Sequence, residues 1–487
     1  MNKLLNSMKD VSNYTRTENG ALTHKTTKSS LLDMFAMGAA MRTRSDEDVI
    51  LMFKKAFEEN PTYALKCLFY IRDVRGGQGE RRFFRVCMKW LTKNNSAAAK
   101  RNLQYVAEFG RWDDLYCFVG TSLERDAFKI LKEQFILDLN CKTPSLLAKW
   151  LHSENATSEE NAKLGALTCQ HFGYSPRQYR KHLSTLRERI RVLERLMSQN
   201  RWNEIEFDKI PSKAGLKYKN AFARRDIIKA KYEKFAKDEN TKVNAGVLNP
   251  VDIAEKILGR GYWNTNLSST DRLMLQKYWD NLKDYYNGKE ERGIAVVDVS
   301  GSMNGQPLNA AVSMGAYIAE RGKGPFQNHF ITFSNSPKLV EFEGVDITDK
   351  FLRARSADWQ MNTNIQAVFN LLLRVAQQNL VPQSEMPERI YIFSDMEFDR
   401  CTGFHTEDRI NTLLEKIAIQ WQNAGYEMPS LIFWNLDARK ENIPALGGRF
   451  SYVSGFSMNM VENILSGKDG YSLMMDKLDS ERYSVIS

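Results

Sequence analysis

Long apolar runs are missing from this 487-residue chain. No stretch approaches the ~18 residues that a membrane-crossing helix needs, so an integral membrane protein is not expected. Paired cysteines are missing too. Cys67, Cys87, Cys117, Cys141, Cys169 and Cys401 form no CxxC pair, and their spacing fits no zinc template. They are expected to be free thiols in a reducing, cytoplasmic setting. Twelve prolines and 28 glycines exclude a collagen-like or Pro-rich disordered chain. Met1 to Thr15 is polar and lacks an apolar core, so no secretory signal is expected. What is present, 43% hydrophobic and 26% charged residues, is the balance of a folded multidomain protein.

The charge is unevenly spread. Residues 291–487 carry a surplus of 6 negative charges and residues 1–290 a surplus of 16 positive ones, which together make the net +10. A basic front module draws polyanions by counterion release. That front reads as helices at 3.6-residue spacing. Examples are Asp46 to Phe57, Thr62 to Arg72, Glu80 to Leu91 and Arg125 to Asn140. A further helix, with Pro176 in its first turn, runs through Leu183, Leu186, Ile190, Leu193 and Leu196. Asp208 to Asp226 is polar and basic and reads as an ordered loop or linker. Helices alternating with short loops predict an α-helical solenoid or bundle.

The character changes at Gly293. Ile294-Ala295-Val296-Val297-Asp298-Val299 is a short apolar run of the kind a buried parallel strand makes. Strands are expected again at His329 to Phe333, Lys338 to Phe342, Arg389 to Ser394, Ser430 to Trp434 and Ser451 to Val453. The helices between them predict a doubly wound α/β domain. The expected organisation is an arm over 1–30, a basic helical module over 31–290 and the α/β domain over 291–487.

In a doubly wound sheet, ligands sit at the carboxyl ends of the strands. Asp298, Ser300 and Ser302 follow the first strand there as Asp-x-Ser-x-Ser. Thr363, before a helix, and Asp395, at the end of a later strand, add two oxygen donors. Oxygen-only ligands select a hard cation, Mg²⁺ or Mn²⁺. Their order and spacing match a metal-ion-dependent adhesion site, and the module resembles a von Willebrand factor A domain. A plainer reading makes Ser300 and Ser302 helix or turn caps. Rival enzyme readings are phosphoryl transfer at Asp298 and a two-metal nuclease on Asp395, Glu397 and Asp399. The expected ion site lacks a neighbouring general base or nucleophile, so binding and not catalysis is expected; such a site commonly captures a partner's carboxylate.

Basic residues cluster in the helical module. Arg72, Arg75, Arg81, Arg82 and Arg85 surround a Gly-Gly-Gln-Gly breaker, and Arg111 precedes Trp112. Arg177, Arg180 and Lys181 crowd the helix after Pro176. Lys213, Lys217, Lys219, Arg224 and Arg225 interleave with Tyr218 and Phe222. Arginine for phosphates and aromatics for bases suit single-stranded RNA. The same residues also fit a solvated helix face or internal ion pairs.

Several stretches carry a family resemblance: Arg72 to Arg81, Phe109 to Leu115, Pro211 to Ala214, Asn249 to Ile253 and Val297 to Ser302. On these the chain is identified as a member of the DUF2828 family. In architecture it resembles the Ro autoantigens, a TROVE module joined to a von Willebrand factor A domain. The resemblance implies a HEAT-like helical ring, binding of small structured or single-stranded-ended RNAs, and a role as RNA scaffold or in RNA quality control. Gly173-Tyr174-Ser175-Pro176-Arg177 resembles the start of an RNA-facing Ro helix, departing from it at Pro176. The alternative is a metal-dependent protein-interaction module without RNA, a phage component among the candidates.

Overall fold

A computed structural model describes residues 12–259, 267–333, 336–356, 363–399 and 413–487. Cys401 lies outside the described residues. The chain divides into two compact units.

The first unit comprises residues up to Tyr63 together with Asn244–Ser480. Strands β1 (Tyr14–Arg16) and β2 (Leu22–His24) form an antiparallel hairpin. The main sheet contains β3 (Gly293–Asp298), β4 (His329–Phe333), β5 (Leu339–Glu341), β6 (Arg389–Ser394), β7 (Ser430–Asn435) and β8 (Phe450–Ser454). Their order is β5-β4-β3-β6-β7-β8, all parallel except the edge strand β5. Every residue of β3, β6 and β7 after the first is buried. Helices on both faces of a parallel sheet leave no wet side, which is why these strands are continuous apolar runs.

Helix Gln306–Arg321 packs on β3 at close range. A Cβ added at Gly315 would lie 2.4 Å from Val297 Cγ2, so only glycine permits that approach. From β3 the chain moves to β4 on one side, and from β6 to β7 on the other. The switch point therefore falls between the carboxyl ends of β3 and β6.

The boundaries differ from those expected. Helix Ser30–Met37 packs on β8 and on helix Gly470–Leu478, and helix Pro250–Leu258 packs on Gln306–Arg321. Residues 12–63, 244–259 and 267–290 thus belong with the sheet and not with an arm or the helical module. Helix Gly470–Leu478 was not anticipated.

The second unit, Ala64–Val243 with Glu481–Ser487, is helical throughout its regular structure. The tail returns to it through Arg482, whose Nη2 donates to Asp73 Oδ1 at 2.6 Å, and Tyr483, whose ring stacks on Phe109 at 5.6 Å. The helix expected to run through Leu196 is two, Pro176–Arg189 and Leu193–Ser198, separated by Arg191 at φ 47°. The segment read as a loop or linker is mostly helix, Ser212–Arg224. Its buried stripe is only Ser212, Gly215, Leu216 and Phe222, too narrow to stand out among the lysines.

Cys67, Cys87, Cys117 and Cys169 are buried free thiols and Cys141 is a half-buried one. Among the described residues no helix is long and apolar enough to cross a membrane.

Candidate functional site

Asp298 ends β3, is fully buried, and sits at the switch point. Its Oδ1 accepts the Ser300 N–H at 2.9 Å and its Oδ2 accepts the Ser394 hydroxyl at 2.5 Å. Ser300 and Ser302 lie side by side, their hydroxyl oxygens 2.9 Å apart. Asp395 follows Ser394 directly and is 1% exposed. Burial first, and the Asp395 charge second, push the Asp298 carboxyl well above the usual carboxylate range. Two buried carboxylates this close repel each other when ionised, and a cation between them relieves that repulsion.

Thr363 is 1% exposed. Its N–H donates to Asp399 Oδ2 at 2.8 Å, and its hydroxyl accepts from the Asn19 amide at 3.4 Å. Asn19 also donates to the Glu397 carbonyl at 2.6 Å. The turn between β1 and β2 thus lies on the loop that follows β6. Asp298, Ser300, Ser302 and Ser394 are linked through these bonds, Asp395 is the residue next to Ser394, and Thr363 joins the loop through Asp399 and Asn19. The donor set is two carboxylates and hydroxyls. Among the described residues no group of three His, Cys, Asp or Glu side chains is placed to hold a metal.

The nuclease alternation of Asp395, Glu397 and Asp399 does not form. β6 stops at Ser394, and Met396 is left-handed at φ 66°. Glu397 is tied to the Glu18 N–H at 2.5 Å and Asp399 to Thr363.

The basic residues divide into two groups. Arg72 is 2% exposed, and its Nη2 donates to Asp114 Oδ2 at 2.6 Å. Arg85 Nε donates to Asp114 Oδ1 at 2.8 Å, and Arg111 Nη2 to Asp113 Oδ2 at 3.0 Å, with its guanidinium 4.1 Å above the Trp150 ring. Arg75, at the surface, donates to the Glu108 carbonyl at 2.6 Å. Arg72 is therefore a correction to the expected phosphate contacts, because a guanidinium buried on a carboxylate cannot reach a ligand. Arg111 is likewise engaged within the fold.

The second group faces water. Arg177 and Lys181 are exposed, and Arg180, also exposed, pairs with Glu154. Lys213, Lys217, Arg224 and Arg225 are exposed and Lys219 is half-buried. Lys217 lies 4.7 Å over Tyr218 and Arg225 5.0 Å over Trp202. The next helix, Asp226–Lys237, adds exposed Lys229, Lys231, Lys234 and Lys237, which the sequence reading passed over. The helices Ser212–Arg224 and Asp226–Lys237 pack together and hold eight Lys and Arg, nine with Arg225 between them, against two acidic residues. A mean of about one Lys or Arg every three residues over 212–237 was the available signal.

Residues 17–164 and 144–287 match the family described as Domain of unknown function (DUF2828). A protein of Acanthamoeba polyphaga mimivirus named as uncharacterized is 30% identical over 506 residues, covering 94% of this chain and 86% of that protein. The chain belongs to the DUF2828 family. In this DUF2828 protein, residues 292–482 match a second family, Domain of unknown function (DUF7788), which contains the whole six-stranded sheet. The crystal structure of the Deinococcus radiodurans RO (RSR) protein superposes with a TM-score of 0.42 at 14% identity, over 94% of this chain and 100% of that one. The DUF2828 match crosses from the β1–β2 hairpin into the helical unit, so the family pattern does not follow the compact units.

Proposed function

We propose that this DUF2828 protein is a non-catalytic RNA-binding protein, a scaffold or RNA quality-control factor of the Ro kind. Its helical unit would be a HEAT-like array, and the paired basic helices 212–237 its main phosphate-contacting surface. The observation that carries this is the concentration of nine Lys and Arg against two acidic residues on those two packed helices and Arg225 between them. Single-stranded RNA suits such a surface through its phosphates, which are met by cations; Phe222 is buried and is corrected from the expected base contacts, leaving half-buried Tyr218 as the ring beside the lysines. Arg177 and Lys181 extend the same chemistry along helix Pro176–Arg189.

The test is ultraviolet crosslinking of the full chain in cells followed by RNA sequencing. Enriched RNA that the triple reversal Lys229→Glu, Lys234→Glu, Lys237→Glu removes supports the reading. Enrichment no greater than that of an unrelated basic protein refutes it.

A second reading is favoured by the buried pair Asp298 and Asp395 at the switch point. In it the sheet unit is a von Willebrand factor A module. Asp298, Ser300, Ser302, Thr363 and Asp395 would hold Mg²⁺ or Mn²⁺. A bound hard cation supplies a positive centre that takes an oxygen from a partner carboxylate. Partner capture that a chelator and Asp298→Asn both abolish supports it, while the RNA contacts should ignore both.

A further inference from the structure

Arg439 has no part in either reading, yet it lies on the candidate ion site. It follows β7, and its Nη2 donates to Asp395 Oδ2 at 2.6 Å. The other oxygen, Oδ1, accepts the Glu397 N–H at 3.1 Å. Among the described residues Arg439 is the one basic side chain paired with Asp395.

Its seat is incomplete. The Nε atom is buried with no acceptor among the described residues. Nη1 lies 3.3 Å from Glu18 Oε2, at the tip of the β1–β2 turn, and Lys440 Nζ lies 3.5 Å from Glu18 Oε1. One guanidinium is thus shared between a buried carboxylate and a partly exposed one. The hairpin behind that tip is well anchored. Thr23 donates to Asn442 Oδ1 at 2.8 Å, and the His24 and Ile443 backbones pair.

A buried carboxylate beside another carboxylate needs a positive charge nearby. A guanidinium meets that need, but it repels any second cation brought to the same oxygens. We infer that Arg439 is a built-in counter-ion of the ion site, which competes with a divalent cation for Asp395, and that Glu18 sets the competition by offering the guanidinium another carboxylate. Arg439 meets Asp395 through Nη2 and Glu18 through Nη1, so a guanidinium displaced from Asp395 keeps a second carboxylate to hold it. This inference rests on the ion-site reading. Arg439 is in that sense a positioning residue.

The test is calorimetric titration of the full chain with Mn²⁺. Arg439→Gln is expected to bind Mn²⁺ roughly tenfold tighter than the wild type, because the competing charge is gone. Arg439→Lys, which keeps the charge, should stay near the wild type. Glu18→Gln should bind roughly threefold weaker, and the double variant Glu18→Gln/Arg439→Gln should match Arg439→Gln alone. Without Mn²⁺, Arg439→Gln should melt roughly 5 °C below the wild type, and saturating Mn²⁺ should close that gap. Saturable Mn²⁺ binding in Arg439→Gln with none in the wild type would support the inference most strongly. Wild-type binding that Asp298→Asn abolishes, with Arg439→Gln binding no tighter, overturns the inference and leaves the ion site standing. Absence of saturable binding in every variant overturns both.

Discussion

Arg72, Arg85 and Arg111 turn inward onto Asp113 and Asp114, whereas Arg224, Lys229, Lys234 and Lys237 of the same helical unit face water. Both groups come from stretches of similar basic density. The difference lies in what surrounds them. The first has aspartates in the loop Arg111-Trp112-Asp113-Asp114 that can be brought against it; the second has two acidic residues along two whole helices. Density of positive charge by itself does not mark a ligand surface. The local supply of carboxylates decides.

The sharpest way to break this comparison is Arg72→Ala. It strands the buried Asp114 with half its partners, and should lower unfolding free energy by about 3–5 kcal/mol. Urea denaturation measures the loss, and RNA affinity per folded molecule should not change. An Arg72→Ala protein of wild-type stability that has lost RNA would place Arg72 in the binding surface instead.

Asp33 offers the opposite case, a buried carboxylate with no basic side chain paired to it among the described residues. Thr27 N–H donates to its Oδ1 at 2.7 Å and the Thr26 hydroxyl to its Oδ2. Burial pushes its pKa up to about 6 against those hydrogen bonds. The unfolded carboxyl releases its proton near pH 4 and the folded one near pH 6. Between those values the folded state holds the extra proton, so stability falls as pH rises, by up to roughly 3 kcal/mol. Asp33→Asn should flatten that slope in thermal melts taken across the window. An unchanged slope would assign it to other groups.

On the exposed side, Lys213→Glu, Lys229→Glu, Lys234→Glu and Lys237→Glu together should weaken single-stranded RNA binding by roughly a hundredfold at moderate salt. The slope of log affinity against log salt should become shallower by about 3. The urea midpoint should stay in place, which is what separates this group from Arg72. Fluorescence anisotropy across a salt series gives both numbers.

The smallest contrast sits within one helix. Arg189 Nη1 donates to the Asp138 and Leu139 carbonyls, each at 3.1 Å, and so caps helix Glu124–Asn140. Arg189→Ala should cost about 1 kcal/mol and leave RNA binding alone. Lys181→Ala should do the reverse, weakening RNA about twofold to threefold with a stability change within about 0.5 kcal/mol. If both variants behave alike, the division of the helix into a capping end and a binding end is wrong.

Much of the sheet was legible. β3, β4, β6 and β7 are continuous apolar runs because both their faces are covered, and such runs stand out from one strand at a time. The position of Asp298 at a strand end follows from the same pattern. The basic helices 212–237 were half legible, since their lysines hide a narrow apolar stripe. Ser394, Arg439, Glu18 and Asn19 were not legible as neighbours of the site. Glu18 and Glu397 are 379 positions apart in sequence, and no local periodicity relates them.

The chain's residue order was enough to place the core strands and most of the helices, because those depend on short-range apolar spacing and turn chemistry; helices Ser212–Arg224 and Gly470–Leu478 escaped it. It also determined the uneven charge and the loop Asp298 to Ser302. The three-dimensional fold was needed to settle which arginines are internal and which exposed, and that residues 12–63, 244–259 and 267–290 fold with the sheet. It alone brought the β1–β2 turn and Arg439 to Asp395. The physical reason is that burial and ion pairing depend on which surfaces meet, and those surfaces come from parts of the chain far apart in order.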